Sequence, residues 1–143
     1  MDRLLKVMAY IVREDRLLVF THADDATPFE SGLQVPAGSV RPGEPPEAAV
    51  LREAQEETGL SGLRIERFLG VAEYDARPYA DAVYVRFFFQ LSVDASELPE
   101  RWTGWERGDG KGEPIRFELF WIPLRKAHVL AAGQSALLGR LFD

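Results

Sequence analysis

The chain has 143 residues and 16.1 kDa, with 46% hydrophobic and 28% charged residues, a balance that excludes a disordered or fibrous protein and fits a single domain spanning residues 1–143. Its 17 basic and 23 acidic residues leave a net charge of −6, which argues against a nonspecific nucleic-acid coat or a polybasic membrane anchor. It has no cysteine, so disulfides, zinc thiolates and a cysteine nucleophile are excluded, and a reducing, cytoplasmic location is expected.

In chain order, Leu4 to Val12 and Arg16 to Thr21 are apolar and β-branched runs around a polar turn at Glu14 and Asp15, which predicts a hairpin. The apolar part of the first run is short and is followed at once by Arg13, Glu14 and Asp15, so it does not read as a secretion signal. Asp24 to Ser31 reads as a loop, and Leu33 to Val35 as a short strand leading into Pro36-Ala37-Gly38. Proline is tolerated in a first helical turn, so a helix is expected from Pro46 to Thr58, ended by Gly59 in a left-handed conformation. Leu63 to Tyr74 and Ala82 to Val93 read as long strands. In the second, an apolar face of Val83, Val85, Phe87 and Phe89 alternates with a mixed face of Tyr84, Arg86, Phe88 and Gln90, the pattern of a half-buried strand. Glu97 to Gly112, rich in glycine, tryptophan and charge, reads as a long loop. Ile115 to Pro123 reads as a strand and Gln134 to Phe142 as a closing helix. The apolar runs near Val83 to Val93 and Phe117 to Leu124 are interrupted by Arg86, Gln90 and Glu118 and are too short to span a bilayer. This order gives an α+β fold with a mixed β-sheet.

The chemistry concentrates between Gly38 and Leu60. Glu53, Glu56 and Glu57 are spaced i, i+3 and i+4 on the expected helix, which gathers three carboxylates within an arc of roughly 100°. Such a cluster is costly near neutral pH unless a cation or solvent screens it. Hard carboxylate oxygens suit Mg²⁺, with Mn²⁺ as an alternative. Val50, Leu51 and Ala54 occupy the packing side of the helix. Glu44 lies in the loop before it, and Gly38 lets a backbone carbonyl approach a ligand closely.

Gly38, Glu44 and Arg52-Glu53-Ala54-Gln55-Glu56-Glu57-Thr58-Gly59-Leu60 stand at the spacing G-x5-E-x7-R-E-U-x-E-E-x-G-U, where U is a bulky aliphatic residue. This stretch resembles the Nudix box. The one departure is Ala54, smaller than the usual aliphatic, which concerns packing and not ligation. The resemblance implies a Nudix-like α/β/α sandwich and a metal-dependent hydrolase that cleaves a nucleoside diphosphate linked to another moiety, by attack of water at phosphorus. By similarity, Glu53, Glu56, Glu57 and the Gly38 carbonyl would ligate the metal. Arg52 would orient the glutamates, with Glu44 supporting it from the loop. Metal ions would neutralise the diphosphate and activate water.

The general base stays open between Glu53, inside the box, and a later glutamate. Glu118 leads the latter group because an acid within an aromatic strand needs a reason to be there, with Glu113, Glu97, Glu100 and Glu106 as further options. Substrate-binding candidates are Trp102 and Trp105, to stack on a base, and Arg41 and Arg77, to hold phosphates. Tyr74, Tyr79, Phe29, Arg86, Arg101 and Lys111 form a wider set. Pro78, Tyr74 and Tyr79 match no subfamily marker after the box. A nucleotide-type diphosphate is the expected substrate. No membrane partner is expected, and long nucleic acid is disfavoured because no basic channel is evident. A homodimer is compatible with the resemblance but is decided by no residue. The competing reading is a noncatalytic Nudix-fold module that binds a nucleotide and regulates a partner. The intact box argues against it, and against a protein-interaction module with a vestigial site.

Overall fold

The computed structural model describes residues 1–23, 32–94, 97–106 and 114–143. The loop expected at 24–31, with Phe29, and the candidates Lys111 and Glu113 lie outside the described residues. Among the described residues seven strands run as β1 (Asp2–Arg13), β2 (Arg16–His22), β3 (Ala37–Ser39), β4 (Leu63–Asp75), β5 (Ala82–Val93), β6 (Arg101–Glu106) and β7 (Ile115–Pro123). Helix α1 (Pro46–Thr58) lies between β3 and β4. The sheet order is β4-β5-β1-β2-β7-β6, with β1 and β5 parallel and the other pairs antiparallel.

The expected hairpin is present. Glu14 and Asp15 both take positive φ, 52° and 60°, the geometry of a two-residue type I′ turn. The strands pair at Val12–Leu17 and Arg13–Arg16 and then part. The chain from Gln34 to Ser39 enters the gap between them. Gln34 exchanges two backbone hydrogen bonds with Phe20, at 2.8 and 3.0 Å, and the Pro36 carbonyl accepts from Ala9. Strand β3 then pairs with Lys6–Met8 of β1. Gly38, at the centre of β3, is therefore wedged into the middle of the sheet.

Alternation along the central strands sends side chains to two covered faces. Val7, Ala9, Ile11, Leu18, Phe20, Phe89, Leu91, Phe117 and Leu119 pack with Ala49, Val50 and Ala54 of α1. Met8, Tyr10, Leu17, Val19 and Phe88 pack with Ala127 and Leu130, and Leu137, Leu138 and Leu141 close over them. Each large apolar side chain buried this way contributes about 1.5–3 kcal/mol before the entropy cost. The fold is the expected α+β Nudix-like sandwich on a mixed sheet.

Three expectations are corrected. Strand β5 is covered on both faces: Arg86 and Phe88, on its mixed face, are buried. The segment read as a loop from Glu97 contains β6, paired with β7 from Arg101–Phe120 to Glu106–Ile115. Its glycine is a close-approach residue. A Cβ at Gly104 would overlap the Glu57 carbonyl oxygen and lie 2.7 Å from Leu119 Cδ1. The closing helix is a run of turns followed by a 3₁₀ helix, Leu138–Phe142. Its amides bond three residues back, from Gln134 to Ala131 and from Arg140 to Leu137. The Gln134 carbonyl, which an α-helix would offer to Leu138, accepts the Tyr10 hydroxyl instead.

Candidate metal and catalytic site

Helix α1 forms where expected. Gly59 ends it at φ 72°, donating its amide to the Gln55 carbonyl. Its apolar residues lock one side to the sheet, which turns Glu53 and Glu57 toward the 35–39 segment.

Arg52 is the hub of the site. Its Nε and Nη2 donate to Glu44 at 2.8 and 2.9 Å, a two-pronged pairing that a planar guanidinium makes well. Nη1 donates to Glu53 Oε1 at 2.8 Å and lies 3.5 Å from Glu56. Nη2 also donates to the Ser39 carbonyl at 3.0 Å, an acceptor without a sequence signal of its own. Glu44 is fixed from the other side by the Arg41 amide at 3.0 Å. The Arg52 guanidinium, then that amide, hold the Glu44 carboxyl down at about 2. Glu44 first, and Glu53 after it, push the Arg52 guanidinium up. Arg52 is thus cationic and Glu44 anionic throughout the physiological range.

Glu57 is 4% exposed, and both its carboxylate oxygens lie 3.4 Å from the Ala37 amide that donates to them. Glu56 is half exposed. A Cβ at Gly38 would overlap the Glu53 carboxylate, so the absence of a side chain there makes room for it. Among the described residues no three carboxylates or imidazoles are already gathered about one point; Glu53 is held by Arg52 and Glu57 by Ala37. The donor set nonetheless fits a hard divalent cation. Three carboxylates stand on one helix arc beside a glycine cradle, two of them largely sheltered from water.

The other candidates divide clearly. Arg41 is at the rim, 4.0 Å from Glu56 and exposed. Arg77 is clasped by Asp75 at 2.6 Å in the β4–β5 turn, a region that pairs with the start of β1 and not with β3. Trp102 is packed against the core on the α1 side, and its indole N–H donates to the Thr58 carbonyl at 2.9 Å. It caps the helix C-terminus rather than offering a free ring. Trp105 is exposed. Glu118 is not brought to the box. Phe117, Leu119 and Trp121 of β7 face α1, whereas Phe120 and Ile122 face the opposite layer, and alternation puts Glu118 with the latter. Arg101 lies beside it, 4.0 Å away and over the Phe120 ring. Glu100 pairs with Arg16 at 2.7 Å. Tyr79 is exposed, while Tyr74 packs against buried Arg86, so neither tyrosine nor Arg86 meets the box.

An acidic helix steered by one arginine thus stands beside the glycine of β3 on a doubly covered mixed sheet. The family described as NUDIX domain matches residues 2–139, and the chain belongs to it. The 8-oxo-dGTP diphosphatase of Haemophilus influenzae is 30% identical over 134 residues, which are 92% of this chain and 83% of that protein. A NUDIX hydrolase structure from Nitrosomonas europaea shares the fold at a TM-score of 0.68 and 23% identity, over 99% of this chain and 88% of that one. A UDP-X diphosphatase structure does so at 0.66 and 18% identity; there this chain spans 99% of its own length and 64% of the other. The protein is a Nudix-type hydrolase acting on diphosphate bonds.

Proposed function

We propose that the chain is a pyrophosphohydrolase dependent on Mg²⁺, with Mn²⁺ as a substitute, that cleaves a nucleoside diphosphate linked to another moiety. The observation that carries the proposal is the Arg52 hub, which joins Glu44, Glu53 and Glu56 next to a sheltered Glu57. Glu53, Glu56, Glu57 and the Gly38 carbonyl would hold the cation, which would supply charge neutralisation of the diphosphate and a more acidic water. The chain's own residues do the rest. Arg52 fixes the rotamer of Glu53, Glu44 fixes Arg52, and the Ala37 amide fixes Glu57. Water attacks phosphorus, the phosphoanhydride P–O bond breaks, and the water's proton passes to a carboxylate of this cluster. Glu53 is the candidate base within the box, and Glu118, the first candidate outside it, stands on the other face of the sheet. Arg41, exposed beside Glu56, is the basic side chain best placed to meet an incoming phosphate.

The name of the relative at 30% identity makes an oxidised purine nucleoside triphosphate the first substrate to assay. Nucleotide sugars and dinucleoside polyphosphates come next. The net charge of −6 disfavours long nucleic acid as a substrate. Among the described residues no helix is long and apolar enough to cross a membrane. The cysteine-free composition supports a cytoplasmic location. Hydrolysis of this panel in isotopically labelled water tests the reading. Label in one phosphate product supports attack at phosphorus, and label in the non-phosphate product contradicts it.

A further inference from the structure

We infer that Gln134 is a positioning residue for the metal-facing 35–38 stretch, although it lies 77 residues after Glu57 in the chain. Gln134 is 5% exposed, one of few buried polar side chains among the described residues. Its Oε1 accepts the Val35 amide at 2.7 Å. Its own carbonyl accepts the hydroxyl of Tyr10, which is fully buried. The neighbouring Ala131 amide donates to the Leu33 carbonyl at 2.8 Å. The C-terminal segment therefore grips the 33–35 stretch by both a backbone and a side-chain bond.

That grip bears on the residues immediately C-terminal to it. The Gln34 amide is taken by β2, and Pro36 has no N–H. Between the two sits the Val35 amide, whose acceptor is the Gln134 carboxamide. The next donor is the Ala37 amide, which holds the Glu57 carboxylate. Gly38, over Glu53, comes immediately after. Two successive amides thus anchor one extended stretch, one to the C-terminal segment and one to α1. Without the Gln134 carboxamide, Val35 would keep a buried, unpaired donor, a cost relieved by moving the backbone. Movement there shifts the Ala37 amide and the Gly38 carbonyl relative to the three glutamates. This role rests on the proposed metal dependence.

The test compares Gln134→Leu, which removes the acceptor, with Gln134→Glu, which keeps an acceptor oxygen. Tyr10→Phe, which frees the Gln134 carbonyl from its donor, serves as a milder third variant should Gln134→Leu fail to fold. Two readouts are independent of turnover: Mn²⁺ affinity followed by water-proton relaxation, and hydrogen exchange at the Ala37 amide in the metal-free protein. Gln134→Leu is expected to weaken Mn²⁺ binding by about ten- to a hundredfold and to speed Ala37 exchange, with kcat falling more than KM rises. Gln134→Glu keeps the acceptor for Val35 but loses the donor to Gln34 and buries a carboxylate, so it is expected to keep Ala37 exchange slow at a lowered melting temperature, with Tyr10→Phe falling between Gln134→Leu and wild type in Ala37 exchange. Unchanged Ala37 exchange in Gln134→Leu, or in Tyr10→Phe if that variant alone folds, overturns the inference. So does a lowered melting temperature with wild-type Mn²⁺ affinity in Gln134→Leu. Absence of Mn²⁺ binding by the wild type overturns the metal reading instead, and the exchange arm then still decides whether Gln134 holds the 35–38 stretch.

Discussion

The side chain that Gly38 lacks and the carboxylate of Glu53 occupy the same space, so β3 and α1 approach as closely as they do only because position 38 is glycine. The backbone of Gly38 is not in the left-handed region, so alanine is acceptable to the chain itself. What must yield is the end of the Glu53 side chain, which then leaves Arg52 Nη1. Gly38→Ala is expected to fold with a near wild-type melting temperature and to lose on the order of ten- to a hundredfold in kcat/KM. A large loss of stability with intact kcat/KM per folded molecule would contradict this.

Arg52 makes four hydrogen bonds from one planar group, three to carboxylates and one to a backbone carbonyl. A lysine ammonium reaches that site as a point charge and can serve one acceptor well, not a forked carboxylate together with Glu53 and the Ser39 carbonyl. Arg52→Lys keeps the charge and loses the geometry. Activity is expected to fall by about tenfold or more. Equal kcat/KM in both proteins would show that charge alone suffices.

The low carboxyl of Glu44 makes acid stability a direct readout of the hub. Its folded-state value is depressed from an ordinary 4.5 to about 2 by Arg52 and the Arg41 amide. A depressed carboxyl stabilises the fold above its unfolded value, and this contribution disappears as pH falls through the folded value. Stability is therefore expected to drop between about pH 4.5 and 2, and Glu44→Gln should flatten that limb of the curve. Asp75, lowered from 3.8 to about 2 by Arg77, contributes to the same limb. Asp75→Asn should flatten it while leaving turnover untouched. Denaturant melts across this range, with assays at neutral pH, check both.

Trp102 separates a capping role from a stacking role. Its N–H satisfies the Thr58 carbonyl, one of the unpaired acceptors at the end of α1. Trp102→Phe keeps an aromatic ring and removes that donor, at an expected cost of about 1 kcal/mol in stability with KM unchanged. A rise in KM without loss of stability would restore the stacking role.

How far the sequence disclosed this molecule depends on how local each signal is. The box is local: Glu53, Glu56 and Glu57 share a face because three and four residues make about one helical turn, and Gly59 marks the stop in the same stretch. Strand β6 stayed hidden because Gly104 and the surrounding charges imitate a loop. The reason for that glycine, the Glu57 carbonyl pressed against it, lies 47 residues away. The C-terminal segment carries helix-compatible leucines, yet Tyr10 takes the Gln134 carbonyl that a continuing α-helix would offer to Leu138. Glu118 attracted notice as an acid in an aromatic strand, but its face is set by which neighbours pack on α1. Gln134 gave no local sign at all, since its partners Val35 and Tyr10 come from the first quarter of the chain.

The most direct test of the central claim is turnover of the nucleotide panel in Mg²⁺ and in Mn²⁺ by wild type and Glu57→Gln. The glutamine retains an oxygen for the Ala37 amide and removes only the ligand charge, so the fold is preserved. The expected result is turnover of one substrate class that requires the metal and is lost in Glu57→Gln. Turnover by Glu57→Gln at the wild-type rate, or tight metal-independent nucleotide binding with no turnover by either protein, would contradict it.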